Sequence, residues 1–295
     1  MQNTATYKQI KKAKDDRFDA DNIHQYSLLV NVGPRDFQIA VLDGGPHNQV
    51  LYLEDYVFPT VSSLTELIST LEELFDHHAF LKAGFWKTIK ISVKNQKLTQ
   101  VPRDLFIRDS AGKYLEFNAQ LNGNNDEVRF IEMKNSEAVT VFAIQKEIKE
   151  FFEHSYPKKQ FTITHQSAAL IEGVMEFAKT REDNPLYLYV DRFKLHLLSV
   201  VDNKLIYYNQ FSINNFQDYV KYIMLVMKTL DMDQQTSKVI MWGYIGDNSP
   251  HYNEFCKYIQ HVTLGKLPGH LSFSYPFDEV QDHHYFDLYN INLSE

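Results

Sequence analysis

Cysteine is almost absent from this chain: Cys256 is the only one among 295 residues, which excludes an intrachain disulfide framework. No run approaches the roughly 18 apolar residues that a membrane helix needs, and residues 1–22 lack the apolar core of a signal peptide. A net charge of -8 repels a phosphate backbone. These absences predict a cytoplasmic protein that neither inserts into a membrane nor binds nucleic acid.

Several catalytic motifs are missing as well: a Walker loop, a Gly-x-Ser-x-Gly elbow, a Cys-x-x-Cys pair and a dinucleotide-binding glycine pattern. Asp-His-His trios at 76–78 and 282–284 contain metal-ligand types, but adjacent residues of a helix or strand point in different directions. We therefore expect both trios to be solvated at the surface, and we expect no metal site. His165 precedes a predicted helix, where a capping or core hydrogen bond is expected.

Two stretches of the chain, residues 27–75 and 186–230, repeat one plan. Each has three extended runs joined by tight turns and then an amphipathic helix. In the first copy, Ser63 and Glu66 form a capping box at the start of the helix. Strands and helices alternate after it, which predicts parallel strands with crossover helices. The sequence thus predicts a duplicated α/β protein.

The predicted organisation has three parts. Residues 1–22 are expected to be a mobile, solvated tail, because lysines and aspartates dominate them. Residues 23–183 form the first half, with an insertion around 101–137, and residues 184–295 form the second half. An aromatic-rich stretch near the C-terminus is expected to pack mainly in the core.

The duplication resembles the ribonuclease-H-like architecture of the actin, sugar-kinase and heat-shock-chaperone ATPase superfamily. Three segments, Val101-Pro102, residues 161–167 and residues 285–289, are similar to an uncharacterised family of Bacteroidetes proteins with an actin-like ATPase fold. The resemblance implies two ribonuclease-H-like halves with mixed sheets flanked by helices, and it implies no reaction. Non-canonical members of the superfamily in type IV pilus and type II secretion assemblies act by holding partners.

The first hairpin departs from the superfamily's phosphate loop, which has an acidic residue, a glycine and a hydroxyl residue. Asn31 cannot supply the negative charge, Gly33 is retained, and Pro34 has no backbone N–H for a phosphate oxygen. Asp36 follows as a carboxylate that could substitute. A simple strand-to-strand turn is the favoured interpretation.

The second hairpin retains Asp191, but Phe193 stands where glycine would allow phosphates to approach, and Lys194 could attract them. Gly243 and Gly246 match the superfamily's adenosine loop or an ordinary strand-to-helix turn, and the sequence does not separate the two. All three motifs of the expected nucleotide cleft are therefore degraded.

We expect a non-catalytic pseudo-ATPase that serves as a scaffold for an unknown protein partner, without a cofactor. The alternative is a nucleotide-binding ATPase or switch that uses ATP and Mg²⁺ through Asp36, Asp191 and Lys194. A symmetric homodimer with a structural role is the third possibility. A cleft filled by Phe193 or Tyr244 would favour the scaffold, and a pocket open to Gly33, Asp191 and Gly243 would favour nucleotide.

Overall fold

A computed structural model of the protein describes residues 6–294, in which seven α-helices flank three β-sheets. The strands are β1 (Lys8–Lys14), β2 (Ser27–Val32), β3 (Asp36–Leu42), β4 (Val50–Val57), β5 (Thr88–Val93), β6 (Leu98–Pro102), β7 (Asp126–Glu132), β8 (Ala138–Gln145), β9 (Thr162–His165), β10 (Leu186–Val190), β11 (Lys194–Val201), β12 (Lys204–Ser212), β13 (Lys238–Gly243) and β14 (His261–Leu264). The helices are α1 (Leu64–His77), α2 (Ala111–Glu116), α3 (Lys146–Ser155), α4 (Gln166–Ala178), α5 (Phe216–Thr229), α6 (Pro250–Phe255) and α7 (Phe286–Asn290). None of the helices in residues 6–294 has the length and apolarity to cross a membrane.

The two larger sheets repeat one topology. The order β4-β3-β2-β5-β9 in the first sheet recurs as β12-β11-β10-β13-β14 in the second. In both sheets the first three strands pair antiparallel as a meander, and the later strands add in parallel. The predicted duplication of two ribonuclease-H-like halves is confirmed.

Helix α1 forms where its sequence predicts it. Ser63 Oγ accepts from the backbone N–H of Glu66, and the Glu66 carboxylate accepts from the backbone N–H of Ser63, so the capping box is complete. Leu67, Leu71 and Leu74 lie on one buried face and pack on the first sheet. Burial of each leucine contributes roughly 1.5–3 kcal/mol, so packing outweighs helix propensity in placing α1.

The prediction of a mobile tail is wrong for residues 8–14. Residues 1–5 lie outside the described residues, but Lys8–Lys14 form strand β1, which pairs antiparallel with β4 at the edge of the first sheet. Only Ala13 of this strand is buried, and the lysines face solvent. An edge strand is held mainly by backbone hydrogen bonds, so a polar, charged sequence can occupy it.

The insertion is a small sheet of its own. Strands β6, β8 and β7 pair antiparallel in that order, with α2 packed against them. This corrects the prediction that the alternating strands after the first helix are all parallel, because β8 pairs antiparallel with β6 and β7. Strand β8 precedes helix α3 in the sequence, as the strand of a crossover unit would. It nevertheless belongs to the small sheet with β6 and β7 and not to the main sheet.

Helices α4 and α7 fill the space between the two large sheets. Eleven of the thirteen residues of α4 are buried, which marks it as an interior helix. Gly173 allows the close approach, because a Cβ there would lie 2.4 Å from the side chain of Asn290. The C-terminal segment therefore packs against both halves rather than the second alone.

Candidate functional site

A cluster of buried charged and polar side chains lies between the halves, where the hairpins β2–β3 and β10–β11 meet. Strands β2 and β5 run parallel and end at this point, as do β10 and β13, so their last residues face one another. We call this group the cleft cluster. It consists of Asn31, Asp36, Gln38, Asp55, Lys94, Gln166, Asp191, Arg192 and Asp287.

Lys94 is the central cation of the cleft cluster. Its Nζ lies 2.8 Å from Asp36 Oδ2, 3.6 Å from Asp191 Oδ1 and 3.8 Å from Asp287 Oδ2. Burial alone would lower the pKa of Lys94, but the charges of Asp191, Asp36 and Asp287 outweigh it and raise the pKa. Lys94 is therefore a permanent cation that holds carboxylates from the first hairpin, the second hairpin and the C-terminal helix together.

Arg192 joins the two halves directly. Its Nη1 donates to Asp36 Oδ2 at 2.9 Å and its Nη2 donates to Asp55 Oδ2 at 2.6 Å. The guanidinium also lies over the ring of Tyr244, 4.1 Å from the centroid. The hydroxyls of Tyr244 and Tyr285 donate to Asp55 Oδ2 at 3.1 and 3.0 Å. The hairpin that would face phosphates instead clamps the chain's own carboxylates.

Asp287 brings the C-terminal helix into the cleft cluster. Its Oδ2 accepts from Asn31 Nδ2 at 3.0 Å and from Gln166 Nε2 at 2.8 Å, while its Oδ1 accepts from the Tyr189 hydroxyl. Burial raises the pKa of Asp287, an effect that Lys94 opposes and Asp191 reinforces. The carboxylate thus stands at the junction of β2, α4 and β10.

The residues of the first predicted loop come together in the cleft cluster, with structural partners. Asn31 is fully buried and donates to Gln38 Oε1 as well as to Asp287. Gly33 closes the hairpin, its N–H donating to the carbonyl of Asp36 at 2.9 Å. A Cβ at Gly33 would lie 2.0 Å from Asp36 Oδ1, so the glycine makes room for that carboxylate.

Only some residues of the second predicted loop belong to the cleft cluster. Asp191 joins the cleft cluster through Lys94 and through Gln166 Nε2, which lies 3.0 Å from its Oδ2. The backbone carbonyl of Lys194 accepts from the N–H of Asp191 at 2.9 Å, whereas its Nζ has no hydrogen-bond partner among residues 6–294. Phe193 is 47% exposed and does not fill the cleft, whereas the hydroxyl of Tyr244 reaches Asp55 within it. Of the two aromatic residues whose presence in the cleft would favour the scaffold, only Tyr244 enters it.

The predicted adenosine glycines have different environments. Gly243 has a φ of 97°, and a Cβ there would lie 2.1 Å from the carbonyl oxygen of Val190, so its conformation and packing both require glycine. Gly246 has open space, with Gln281 as the nearest neighbour at 3.8 Å. Gly243 lies opposite Val190 in the parallel pairing of β10 with β13, which accounts for this close approach.

A cavity of about 550 Å³ opens beside the cleft cluster, on the side of the first half. Gly33, Lys94 and Lys194 line it, but Asp191, Gly243 and Gly246 do not. The cavity is therefore separate from the predicted adenosine loop. With Asn31 in place of a carboxylate, Pro34 without an N–H and Arg192 bound to two aspartates, these residues do not fit a magnesium nucleotide that spans both hairpins.

Sequence reasoning missed Lys94, Asp55 and Asp287 as parts of the site. A signal exists for Asp55, which together with Glu54 places two carboxylates in the mostly apolar strand β4. Asp287 and Gln166 both belong to the segments that carry the family resemblance. Lys94 has a similar local signal, since it directly follows the buried strand β5.

The histidines outside the cleft cluster give one confirmation and two corrections. His165 Nδ1 accepts from the backbone N–H of Ser167 at 3.1 Å and caps α4, as predicted. His78 was expected at the surface, but its side chain is only 7% exposed and its Nε2 lies 2.6 Å from Glu54 Oε2. His283 is also buried.

Comparison with known proteins agrees with this architecture. The family model described as "Protein of unknown function (DUF3822)" matches residues 15–262. The chain belongs to this family. No curated protein is significantly similar in sequence to this chain.

Two solved structures show the same fold. One, from Bacteroides thetaiotaomicron VPI-5482, is described as having an actin-like ATPase fold and unknown function; it has a TM-score of 0.78 and 21% identity, over 94% of this chain and 99% of that one. The other is the PilM-PilN type IV pilus biogenesis complex, with a TM-score of 0.63 and 10% identity, over 90% of this chain and 97% of that one. This DUF3822 protein therefore has an actin-like ATPase fold.

Proposed function

We propose that this DUF3822 protein is a non-catalytic, actin-like protein that holds a protein partner in the cytoplasm. The observation that carries the proposal is the bridge from Arg192 to Asp36 and Asp55. In an active relative of this fold the two hairpins must face a ligand's phosphates, whereas here they face each other through ionic hydrogen bonds. The ion pairs of Arg192 with Asp36 and Asp55 thus support a structural role for the fold in place of ATP hydrolysis.

The buried arrangement makes nucleotide entry costly. A phosphate at the hairpins would have to displace Arg192 from two carboxylates or Lys94 from Asp36, leaving buried charges without partners. Loss of one partner of a buried ion pair costs about 3–5 kcal/mol. Such a penalty per displaced cation offsets much of the affinity that a nucleotide would gain.

The insertion offers a surface for a partner. Leu105, Ile107 and Phe117 are 67%, 61% and 88% exposed and lie within a short stretch around α2. Large exposed apolar side chains on a polar background are typical of protein-binding sites. The PilM structure, which has the same fold, is a complex with another protein, and this supports a partner-holding role here by analogy.

Calorimetry with ATP and Mg²⁺ at millimolar concentration tests the proposal, and we expect no binding heat. Turnover of ATP by the wild-type protein that disappears in Asp191→Asn would overturn it.

For the partner, Phe117→Glu combined with Ile107→Lys should abolish recovery of a specific cross-linked protein from the native host, at an unchanged melting temperature. Light scattering on the purified protein separates this reading from a homodimer, for which a dimer mass is expected.

A further inference from the structure

The carboxylate of Asp287 has the surroundings of a bound anion. Its Oδ1 accepts from the Tyr189 hydroxyl and from the backbone N–H of Leu288 at 2.8 Å. Its Oδ2 accepts from Asn31 Nδ2 at 3.0 Å and from Gln166 Nε2 at 2.8 Å. Asp287 has no exposed surface. An ionised carboxylate can be buried in this way because charge-assisted hydrogen bonds replace its hydration.

The side-chain donors of this site come from parts of the chain far from Asp287. Asn31 lies on β2, Gln166 begins α4 and Tyr189 lies on β10. They precede Asp287 by 256, 121 and 98 positions in the chain. The Nζ of Lys94, which follows β5, adds a positive charge 3.8 Å from Oδ2. Both halves of the fold therefore build an anion site, and the C-terminal segment fills it.

The filled site lies where the two hairpins meet. Gln166 Nε2 donates both to Asp287 Oδ2 and to Asp191 Oδ2, at 2.8 and 3.0 Å. Asn31 of the first hairpin donates to the same oxygen of Asp287. The anion that occupies the junction of the hairpins is thus a side chain of the protein itself.

Tyr285 holds the segment that carries Asp287. Its φ is 57°, in the left-handed region that a bulky side chain rarely adopts. The residue is only 3% exposed, and its hydroxyl donates to Asp55 Oδ2 at 3.0 Å, in the first half of the fold. Such a conformation persists only where the surroundings enforce it, and here it immediately precedes the helix that places Asp287 in the cleft.

We propose that residues 285–290 are a C-terminal plug, with Asp287 as an internal ligand that keeps free anions out of the cleft. Without that carboxylate the site takes a small monoanionic carboxylate, because its donors surround one planar group. A second negative charge is disfavoured, since Asp36 and Asp191 already lie beside Lys94. The plug goes beyond the partner-holding role and does not depend on it.

Asp287→Ala tests the proposal, because it removes the group that formate replaces atom for atom. Formamide is the matched neutral probe, with the same shape and no charge. By calorimetry, Asp287→Ala should bind formate roughly tenfold or more tightly than formamide, the factor expected for a charge-assisted hydrogen bond. The wild type should bind neither probe at the same concentrations. Asp287→Asn should also bind neither, since its amide fills the space.

Asp183→Ala is the control for general salt effects. Asp183 pairs with Arg181 and Lys238, but its side chain is more than a quarter exposed, so water can replace its carboxylate. This variant should show no preference for formate.

Melting temperatures give a second readout. Asp287→Ala should melt higher in sodium formate than in sodium chloride of the same ionic strength, and refolding from urea in the two salts extends the comparison to a variant that is unfolded as purified. Recovery of the fold in formate alone would support the plug. Equal affinities for formate and formamide, formate binding to the wild type, or no recovery of folded Asp287→Ala in either salt would each overturn the proposal.

Discussion

Arg192 of the second half donates to Asp55 of the first half, with 2.6 Å between Nη2 and Oδ2. Asp55 is fully buried and accepts from Tyr244 and Tyr285 through the same oxygen. The pair therefore links the two halves through a buried ionic hydrogen bond at the cleft cluster.

Arg192→Ala should lower the free energy of unfolding by about 3–5 kcal/mol, because Asp55 would remain buried without its cation, while Asp36 would keep only Lys94. Urea unfolding followed by far-UV circular dichroism measures this. Arg181→Ala is the matched control: Arg181 pairs with Asp183 at 2.7 Å, but both side chains are more than a quarter exposed, so its loss should cost about 1 kcal/mol or less. Equal losses in the two variants would show that Arg192 is no clamp.

Restoring an acidic residue to the first hairpin should not restore an ATPase. Asn31→Asp replaces the donor that lies 3.0 Å from Asp287 Oδ2 with a second carboxylate, and the free energy of unfolding should fall by about 2 kcal/mol or more. Phosphate release from ATP should stay at background, since Pro34 and Arg192 are unchanged. The double variant Asn31→Asp/Asp287→Asn exchanges the two groups and should recover part of the stability. ATP turnover in the single variant would contradict our interpretation of the cleft.

The contact between α4 and α7 predicts sensitivity at Gly173. Gly173→Ala would place a Cβ 2.4 Å from the Asn290 side chain, which is buried and donates to the carbonyl of Phe286 at 2.7 Å. We expect a loss of about 1–3 kcal/mol from overpacking, against the gain that alanine usually brings to a helix. Gly112→Ala in α2 is the control, because a Cβ there meets nothing within 4 Å. Thermal unfolding of both variants measures the effect. A higher melting temperature for Gly173→Ala than for the wild type would contradict the prediction.

Glu54 predicts part of the acid sensitivity. Burial alone would raise its pKa, but hydrogen bonds from His78 and Tyr52 outweigh burial and lower the pKa from 4.5 to about 2. A carboxylate with a lowered folded pKa contributes stability above its unfolded pKa and loses it as the pH falls toward the folded value. The contribution is about 3 kcal/mol, lost between pH 4.5 and 2. Urea unfolding across this range should show a smaller pH slope for Glu54→Gln, and equal slopes would refute the assignment.

The parts of this fold that could be predicted from the sequence are those that depend on residues close together in the chain. The Ser63–Glu66 capping box and the alternation of strands with α1 and α5 involve neighbours in the chain, and both are confirmed. Strand β1 could not be predicted, because its lysine-rich side chains carry no apolar period and its backbone pairing with β4 leaves no trace in composition.

The site was predicted only in part for a similar reason. Asn31, Asp36 and Asp191 could be found, since a superfamily pattern fixes where the hairpin residues lie. Lys94 and Asp287 are far apart in the chain, and only tertiary packing brings Nζ and Oδ2 to 3.8 Å. A sequence can show that charges lie in apolar surroundings, as for Asp55 in β4, but pairing them requires the fold.

Lys194 should lower the free energy of unfolding, whereas the charged residues discussed above should raise it. Burial is the main cause that lowers its pKa from 10.5 to about 8, so between these values the unfolded chain binds more protons than the folded one. The wild type should therefore become more stable as the pH rises from 8 toward 10.5, by up to about 3 kcal/mol. Lys194→Met removes the buried ammonium and should be more stable than the wild type at pH 7, with the difference shrinking above pH 8. Thermal unfolding of both proteins across this pH range measures it, with Lys97→Met, at a lysine paired with Asp126, as the control. A Lys194→Met variant less stable than the wild type at pH 7 would mean that the ammonium has a partner that holds it in place.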